Sequence, residues 1–597
     1  MHLIQRVPGR TYDYRACTTL TERTQMSLKK KVVIGVGVAA LFSSVLVATT
    51  ATAASTAVNG PVVVKGAVRG GTITDIGQGD FEHIDPARNY VGGTLDLYRL
   101  FIRTLTQFKT VNGKITTVPD LASEMPTTKD GGVTWVYKLR QGLKYEDGSP
   151  ITCEDIKYGV ARSYELTILD GGPTYPRDFI ENKNGYEGPY TSPTKTLDGV
   201  VCAKDGSTIT FKLQNPIPYF PAVTTFGAFS PVPKAKDTKQ NYDLHPISSG
   251  PYKISKYDRG KQLILVRNKY WDAKTDPIRT DYPDKYVFKF GSDQNVVEQT
   301  MIADSGDAKT AFATDTNILT NLSKVYDNPA YKNRLFNYDT TYSRYYAINV
   351  DTVKDLNVRK AIQCAFDFKQ ILAAAGGATS GSYSNSTIPS TFSPAYRNFQ
   401  ICGRDVRKNP EAQVDKAKAF LAAAGPSAQK TLHLAFRDKG VEPDRAAALQ
   451  QQLQAAGFTV VMDKYSRSEF YSFISKRGVP NEPDIMQTSW MPDWPLASGT
   501  VYPLFDGRTM APTDAKSNYS RANFPDITAL FAKADNQSQN AQEKTLGDIE
   551  QNLIVDKAAV MPVYFETSHQ MVGSKIGNAY VENGYGDVSM INAYVKK

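Results

Sequence analysis

Ser489-Trp490-Met491-Pro492-Asp493-Trp494-Pro495 sets a single carboxylate between two indoles. The short apolar run Asp484-Ile485-Met486 before it reads as a buriable strand, and Pro492 and Pro495 stop any regular continuation. Such a loop can hold a ligand. The indole faces supply apolar area with a polar edge, and a carboxylate held between bulky rings seeks a cationic partner to offset its desolvation. Read alone, the same residues fit a structural loop with core tryptophans equally well.

Motifs for covalent or metal chemistry are missing. The sequence has no G-x-S-x-G, no P-loop G-x-x-x-x-G-K and no G-x-G-x-x-G between strand and helix. His83, His245, His433 and His569 are scattered, and neither C-x-x-C nor H-E-x-x-H occurs, so no metal and no cofactor is expected. Binding is favoured over catalysis.

A loop of this kind needs elements that aim it. Residues 431–436, 445–456 and 458–461 read as strand, helix and strand, a connection length that implies a parallel pair with a right-handed crossover. In open α/β sheets ligands bind beyond the carboxyl ends of strands, and the strand at 484–486 delivers the Trp490 to Trp494 loop in that way. Helix 414–424 stops at Gly425-Pro426, and helix 542–555 carries Leu546, Ile549 and Leu553 on one face. Earlier in the chain, Gly70-Gly71 open an alternating strand through Ile76, and a helix-like segment covers 95–105. Residues 134–139 form a half-buried strand by their period of two, and Thr152 with Asp155 caps a helix whose apolar face includes Ile156 and Val160. Residues 169–199, rich in Gly, Pro, Tyr and Asn, read as a long surface excursion.

A chain of 597 residues is too long for one core and implies two or three globular units. Of its net charge of +10, Arg6, Arg10, Arg15, Arg23 and Lys29 to Lys31, less Asp13 and Glu22, supply half. The remainder is mildly basic without long Lys/Arg runs, so nucleic acid is excluded as a partner. Lys29 to Lys31, the apolar run from Val32 to Val47 and Ala51-Thr52-Ala53 make a Sec-type signal peptide over 26–53, cleaved near Ala53. The apolar run falls short of the ~20 residues of a comfortable membrane span. Residues 1–25 read as an upstream extension that carries Cys17, with Met26 as the natural start. Four cysteines follow the signal, and their order suggests local disulfides, Cys153–Cys202 and Cys364–Cys402, in an oxidising compartment; buried free thiols are the alternative.

The stretch around Asp493 resembles the W-x-A-D-Y-P loop of the family 5 extracellular solute-binding proteins, the oligopeptide- and dipeptide-binding components of ABC importers. Val118-Pro119-Asp120-Leu121-Ala122-Ser123 and the run from Thr134 to Gly148 resemble the family's P-D-L-A-x-S-W and T-x-x-F-x-L-R-x-G-V-K-F-x-D-G signature, with Glu124-Met125 where a tryptophan is usual. Ser249-Gly250-Pro251-Tyr252 is similar to its G-T-G-P-Y turn, where glycine allows a backbone that a β-carbon would forbid. Val358-Arg359-Lys360-Ala361-Ile362 resembles the helix that opens the second lobe, and Pro562-Val563-Tyr564 the closing strand.

The resemblance implies an α/β, bilobed periplasmic-binding-protein-like fold of the large, three-subdomain type, with an interlobe cleft and a hinge. The lobes follow as 58–104, 213–335 and 556–597 for lobe I, 105–212 for its additional subdomain, and 336–555 for lobe II. It implies a small-molecule ligand, most simply an oligopeptide, delivered by a monomer to the permease of an ABC transporter. Asp493 is then the anchor for a ligand ammonium group, Ser489, Trp490 and Met491 offer backbone hydrogen bonds, and Trp490 and Trp494 line side-chain space. Backbone at 89–92 after the Asp85-Pro86 turn lines the groove, with Tyr90 its chief side chain. Pro492 and Trp494 stand where the family has alanine and tyrosine, and Gln487 where some oligopeptide binders have arginine. Relatives on this fold also bind nickel complexes, haem, oligosaccharides or opines. No cysteine for a lipid anchor lies between Ser43 and Gly60, so the expectation is an exported protein, either released from the cell or retained at the envelope by something other than an N-terminal lipid; a freely secreted enzyme or enzyme regulator on the same fold is the alternative from another class.

Overall fold

A computed structural model describes residues 62–90, 92–111, 114–169, 172–392, 394–438, 440–466 and 470–597. The expected extension, the signal peptide and its cleavage position lie outside the described residues. Gly70 and Gly71 take φ of +122° and +83°, a region glycine enters without strain, and a β-carbon on Gly71 would meet Val595 at 2.9 Å. They lead into β1 (Thr72–Ile76), followed by α1 (Gly92–Phe101) and the antiparallel hairpin β2 (Thr106–Val111) and β3 (Lys114–Pro119).

A subdomain is built next from β4 (Thr134–Lys138), α2 (Cys153–Arg162), α3 (Tyr175–Phe179), β5 (Val200–Cys202) and β6 (Thr208–Lys212), with sheet order β4-β6-β5. Alternation along β4 turns Trp135 and Tyr137 inward, as the period of two requires. Thr152 and Asp155 form the expected capping box at the start of α2. Cys153 on α2 is bonded to Cys202 on β5, with Cα atoms 5.9 Å apart. Far from lying on the surface, the stretch at 172–199 buries Tyr175, Tyr186 and Leu197 in the subdomain core, because these apolar side chains find a shared interior that local composition does not reveal.

The chain returns through β7 (Tyr252–Asp258), β8 (Gln262–Arg267), β9 (Lys285–Lys289) and β10 (Ala311–Phe312) to complete the first lobe's sheet, ordered β10-β1-β9-β8-β7. Gly250 is required here for close packing: a β-carbon on it would lie 2.8 Å from the backbone of Phe101, while its φ is not in the left-handed region.

The second lobe holds a six-stranded sheet of β11 (Leu335–Ile348), β12 (Gly381–Tyr383), β13 (Thr431–Arg437), β14 (Thr459–Tyr465), β15 (Ile485–Trp490) and β16 (Val560–Met571), ordered β12-β16-β11-β15-β13-β14. As the crossover length requires, β13 and β14 are parallel, joined by the helix Glu442–Ala455. Cys364 and Cys402 are bonded, with Cα atoms 5.3 Å apart.

Two strands serve both lobes. Tyr345 to Ile348 and Val560 to Tyr564 belong to the second lobe's core, whereas Met571 at the far end of β16 packs with Val297 and Met301. The β11–β16 register shifts between Asp339 and Ser343, a local irregularity where the pair passes from one lobe to the other. The fold is α/β and bilobed.

Candidate ligand site

β15 runs antiparallel to β11 from Ile485 to Trp490, four residues beyond the end expected from the apolar run. On its other edge β13 pairs only at Leu434↔Ile485 and Ala435↔Met486, so beyond Met486 that edge has no ladder partner among the described residues. Ser489 and Trp490 are therefore strand residues. The Ser489 hydroxyl donates to Tyr342 at 3.2 Å, and the half-buried Trp490 indole donates to the Gly499 carbonyl at 2.9 Å. Pro492 then ends the strand.

Asp493 meets two tyrosines of the opposite lobe. Tyr90 donates to its Oδ1 at 2.9 Å and Tyr175 donates to its Oδ2, while the two hydroxyls lie 3.0 Å apart. Among the described residues no lysine or arginine pairs with it. Burial pushes the Asp493 carboxyl up to about 7, a rise the two tyrosine hydrogen bonds moderate. Burial first and the Asp493 charge second raise both tyrosines well above their ordinary value, so they act as neutral donors. Both hydroxyls donate to Asp493, which accepts on each of its oxygens.

Tyr90 is positioned by the turn before it. Arg162 on α2 grips the buried Asp85 carboxylate with both terminal nitrogens, at 2.7 and 2.8 Å, and Asp85 accepts the Ala87 amide at 2.9 Å. Tyr175 is held by Phe226, 5.4 Å between centroids, and by Trp494 edge-on at 5.2 Å. From the other side, Glu543 accepts the amides of Ala497 at 2.7 Å and Ser498 at 3.2 Å, fixing the loop's exit.

Trp494 is 1% exposed. It stacks on Tyr219, donates from its indole nitrogen to Ser498 at 2.9 Å, and shares a core with the first lobe's subdomain. It also borders the wider interlobe groove. Met491 and Asp493 instead line an inner pocket of about 50 Å³ with Tyr90, Ile102, Phe108 and Phe226. The wider groove, of about 790 Å³, opens past Tyr90, Tyr175, Trp490 and Tyr502. Asp493, Tyr90, Trp490, Met491 and Ser489 are brought to one seam. Sequence reading missed Tyr175 and Tyr219: each sits in a proline- and tyrosine-rich stretch whose composition reads as loop.

Among the described residues no three His, Cys, Asp or Glu side chains are grouped to hold a metal ion, and no helix is long and apolar enough to cross a membrane.

The family described as bacterial extracellular solute-binding proteins, family 5 Middle, matches residues 116–512. Similar proteins include the dipeptide-binding protein DppE of Bacillus subtilis, 23% identical over 75% of this chain and 78% of that one. The periplasmic murein peptide-binding protein MppA of Escherichia coli is 23% identical over 77% of this chain and 82% of its own. Among solved structures, clavulanic acid biosynthesis oligopeptide binding protein 2 superposes with a TM-score of 0.81 at 27% identity, covering 89% of this chain and 96% of that one.

Proposed function

The chain belongs to the bacterial extracellular solute-binding proteins of family 5, and we propose that it captures a peptide with a free N-terminal ammonium group between its lobes and presents it to the permease of an ABC importer. The observation that carries this reading is Asp493, a carboxylate at the lobe seam whose only partners among the described residues are two neutral hydroxyls. A carboxylate has room for further donors, and a ligand ammonium supplies the charge this one lacks. Ligand contact is assigned to Asp493 and Tyr90 first. Trp490, Met491 and the unpaired edge of β15 near Ser489 take the peptide that follows, an extended chain being able to add to a free strand edge. The groove of about 790 Å³ falls within the usual range for small-ligand sites.

Peptide-binding names among the relatives support the ligand class. Export is proposed through the signal at 26–53, with no lipid anchor, and the protein acts as a monomeric binder and not as a catalyst. A ligand favours closure only through contacts it makes better in the closed form, and an ammonium held on Asp493 beside Tyr90 and Tyr175 would touch both lobes at once.

A thermal shift with tri- to pentapeptides, their N-acetylated copies and oligosaccharides tests the reading. Ligand at a hundredfold its Kd adds about 2.7 kcal/mol of stability. Stabilisation by free-amine peptides and not by acetylated copies is expected. Stabilisation by oligosaccharides alone overturns the ligand class.

A further inference from the structure

We propose that the inner pocket beside Asp493 makes this protein selective at the first residue of its peptide, accepting a small apolar side chain such as that of alanine or valine and rejecting aromatic and charged ones. The inference rests on the proposed binding of a free N-terminal ammonium at Asp493. Covalent geometry then leaves little choice. The first side chain branches from the carbon that bears the ammonium, so a group anchored on Asp493 must place that side chain against the walls Asp493 shares.

Those walls are apolar. Ile102 and Phe108 are 2% exposed and close the pocket's depth, with Tyr98 and Phe226 beside them and Met491 on the loop side. The polar groups that line it are already engaged by the protein. Tyr98 donates its hydroxyl to the Ile84 carbonyl at 2.6 Å, Thr104 donates to the Thr106 carbonyl at 2.6 Å, and Thr225 donates to the Ala222 carbonyl at 2.8 Å. The Gln107 side-chain oxygen accepts the Phe108 amide at 2.9 Å and the Tyr585 hydroxyl, and its nitrogen donates to Thr104 at 3.5 Å. A charged or hydroxylated side chain entering here meets neither a cation nor a free strong donor, and so loses its water without replacement. Among the described residues that line it, the one unneutralised charge, Asp493, is claimed by the ammonium.

Size sets the second limit. The pocket holds about 50 Å³. A dry cavity that admits benzene measures about 150 Å³, and a single water takes at least ~10–15 Å³, so this pocket has room for a methyl or isopropyl group and none for a ring. Its floor resists expansion, because Phe108 packs on Tyr585 at 5.9 Å between centroids and Tyr585 is itself bonded to Gln107. Peptide positions further along face the wide groove past Trp490 and Tyr502, where no comparable restriction exists.

Isothermal calorimetry of the purified protein with the tripeptides Ala-Ala-Ala, Val-Ala-Ala, Phe-Ala-Ala and Glu-Ala-Ala, and with acetyl-Ala-Ala-Ala, tests the proposal. Alanine and valine in first position are expected to bind at least tenfold more tightly than phenylalanine and glutamate. Met491→Ala and Phe108→Ala each enlarge the pocket, the first from the loop and the second from the floor. Either one, once shown by circular dichroism to be folded, is expected to improve Phe-Ala-Ala at least tenfold relative to Ala-Ala-Ala. Binding of all four free-amine peptides within threefold of one another overturns the pocket proposal and leaves the peptide-binding reading standing. Equal binding of the acetylated peptide, or no binding by any of them, overturns the ammonium anchor and the pocket with it.

Discussion

The indole of Trp494 stacks on the ring of Tyr219, centroids 5.1 Å apart and planes 21° from parallel, and the two residues come from opposite lobes. Trp494 follows Asp493 in the loop after β15, while Tyr219 belongs to the subdomain of the first lobe. One residue thus seals the seam that its neighbour Asp493 polarises. Trp494→Ala exchanges a fully buried ring for a cavity, a change that costs about 3 kcal/mol or more in a core. The loss here falls mainly on the closed arrangement, because the partners Tyr175 and Tyr219 remain packed within their own lobe. The variant is expected to show a larger radius of gyration by solution scattering and weaker ligand binding, with a smaller fall in melting temperature than a core cavity would give. Unchanged scattering with weakened melting would place Trp494 in static packing alone.

Asp493→Ala removes a seam carboxylate that, among the described residues, faces two tyrosine hydroxyls and no cation. Loss of one charge-assisted hydrogen bond lowers affinity for a free-amine peptide at least tenfold, about 1.4 kcal/mol and upward. An N-acetylated peptide is expected to bind the variant and the parent equally weakly. Calorimetry with the matched pair reads both, and parental affinity in the variant would remove the anchor.

Arg162 is expected to matter without touching ligand. Its guanidinium is buried against Asp85, contacts Asp237 at 3.2 Å and lies over the Tyr242 ring. Arg162→Ala strands two carboxylates away from water, a loss of about 3–5 kcal/mol for a buried pair broken on one side. Chemical denaturation should show a lower midpoint, and ligand affinity should fall because the turn leading to Tyr90 loses its clamp. The conservative Arg162→Lys would restore charge without the two-pronged grip, and is expected to recover stability only in part.

Much of the scaffold could be read from the sequence because its signals are local. The capping box of Thr152 and Asp155 lies within one helical turn, and the parallel pair of β13 and β14 follows from the length of the helix between them. The site is less legible because its decisive contacts are not local. Tyr175 and Asp493 are 318 residues apart, and Arg162 and Asp85 77 apart. Nothing in the stretch around Tyr175 marks it as inward-facing; that is decided by Phe226 and Trp494, which offer the ring an apolar seat. Asp493 was identifiable because aromatic neighbours and prolines surround it in sequence. Trp494, read from the same stretch as lining side-chain space, borders the wider groove and also packs on Tyr219 across the lobes.

The disulfides tie each lobe internally, Cys153 to Cys202 across 49 residues and Cys364 to Cys402 across 38. On the chain-entropy account each closes a loop worth up to about 4 kcal/mol. Cys153→Ser with Cys202→Ser is expected to lower the melting temperature with little change in ligand affinity, since the pair joins α2 to β5 away from the Asp493 seam. A comparable drop should appear on reduction of the parent, readable by calorimetric melting with and without dithiothreitol.

Two opposite pH dependences follow from one residue. Burial raises the carboxyls of Asp493, Glu543 and Asp587 to about 7 and that of Asp75 to about 6, against about 4 in an unfolded chain. The fold therefore holds protons that the unfolded chain has released. The stability these groups confer is fully present below about pH 4 and is lost as pH rises through 6 to 7. At the low end Asp276 opposes them: Arg279 and Arg103 outweigh its burial and hold it down at about 2, so its contribution disappears as pH falls below 4. The ligand-free protein is thus expected to melt higher at pH 5 than at pH 8, and Asp493→Asn to narrow that difference. Peptide affinity must run the other way. An ammonium group needs the ionised carboxylate, so binding weakens as pH falls below about 7, approaching tenfold per unit where Asp493 is mostly protonated. Calorimetric titrations at pH 5.5, 7 and 8 in buffers of different ionisation enthalpy would show protons released on binding at the lowest pH. Affinity that is flat across this range, with no proton release, would mean that the ligand does not engage Asp493 as an ion.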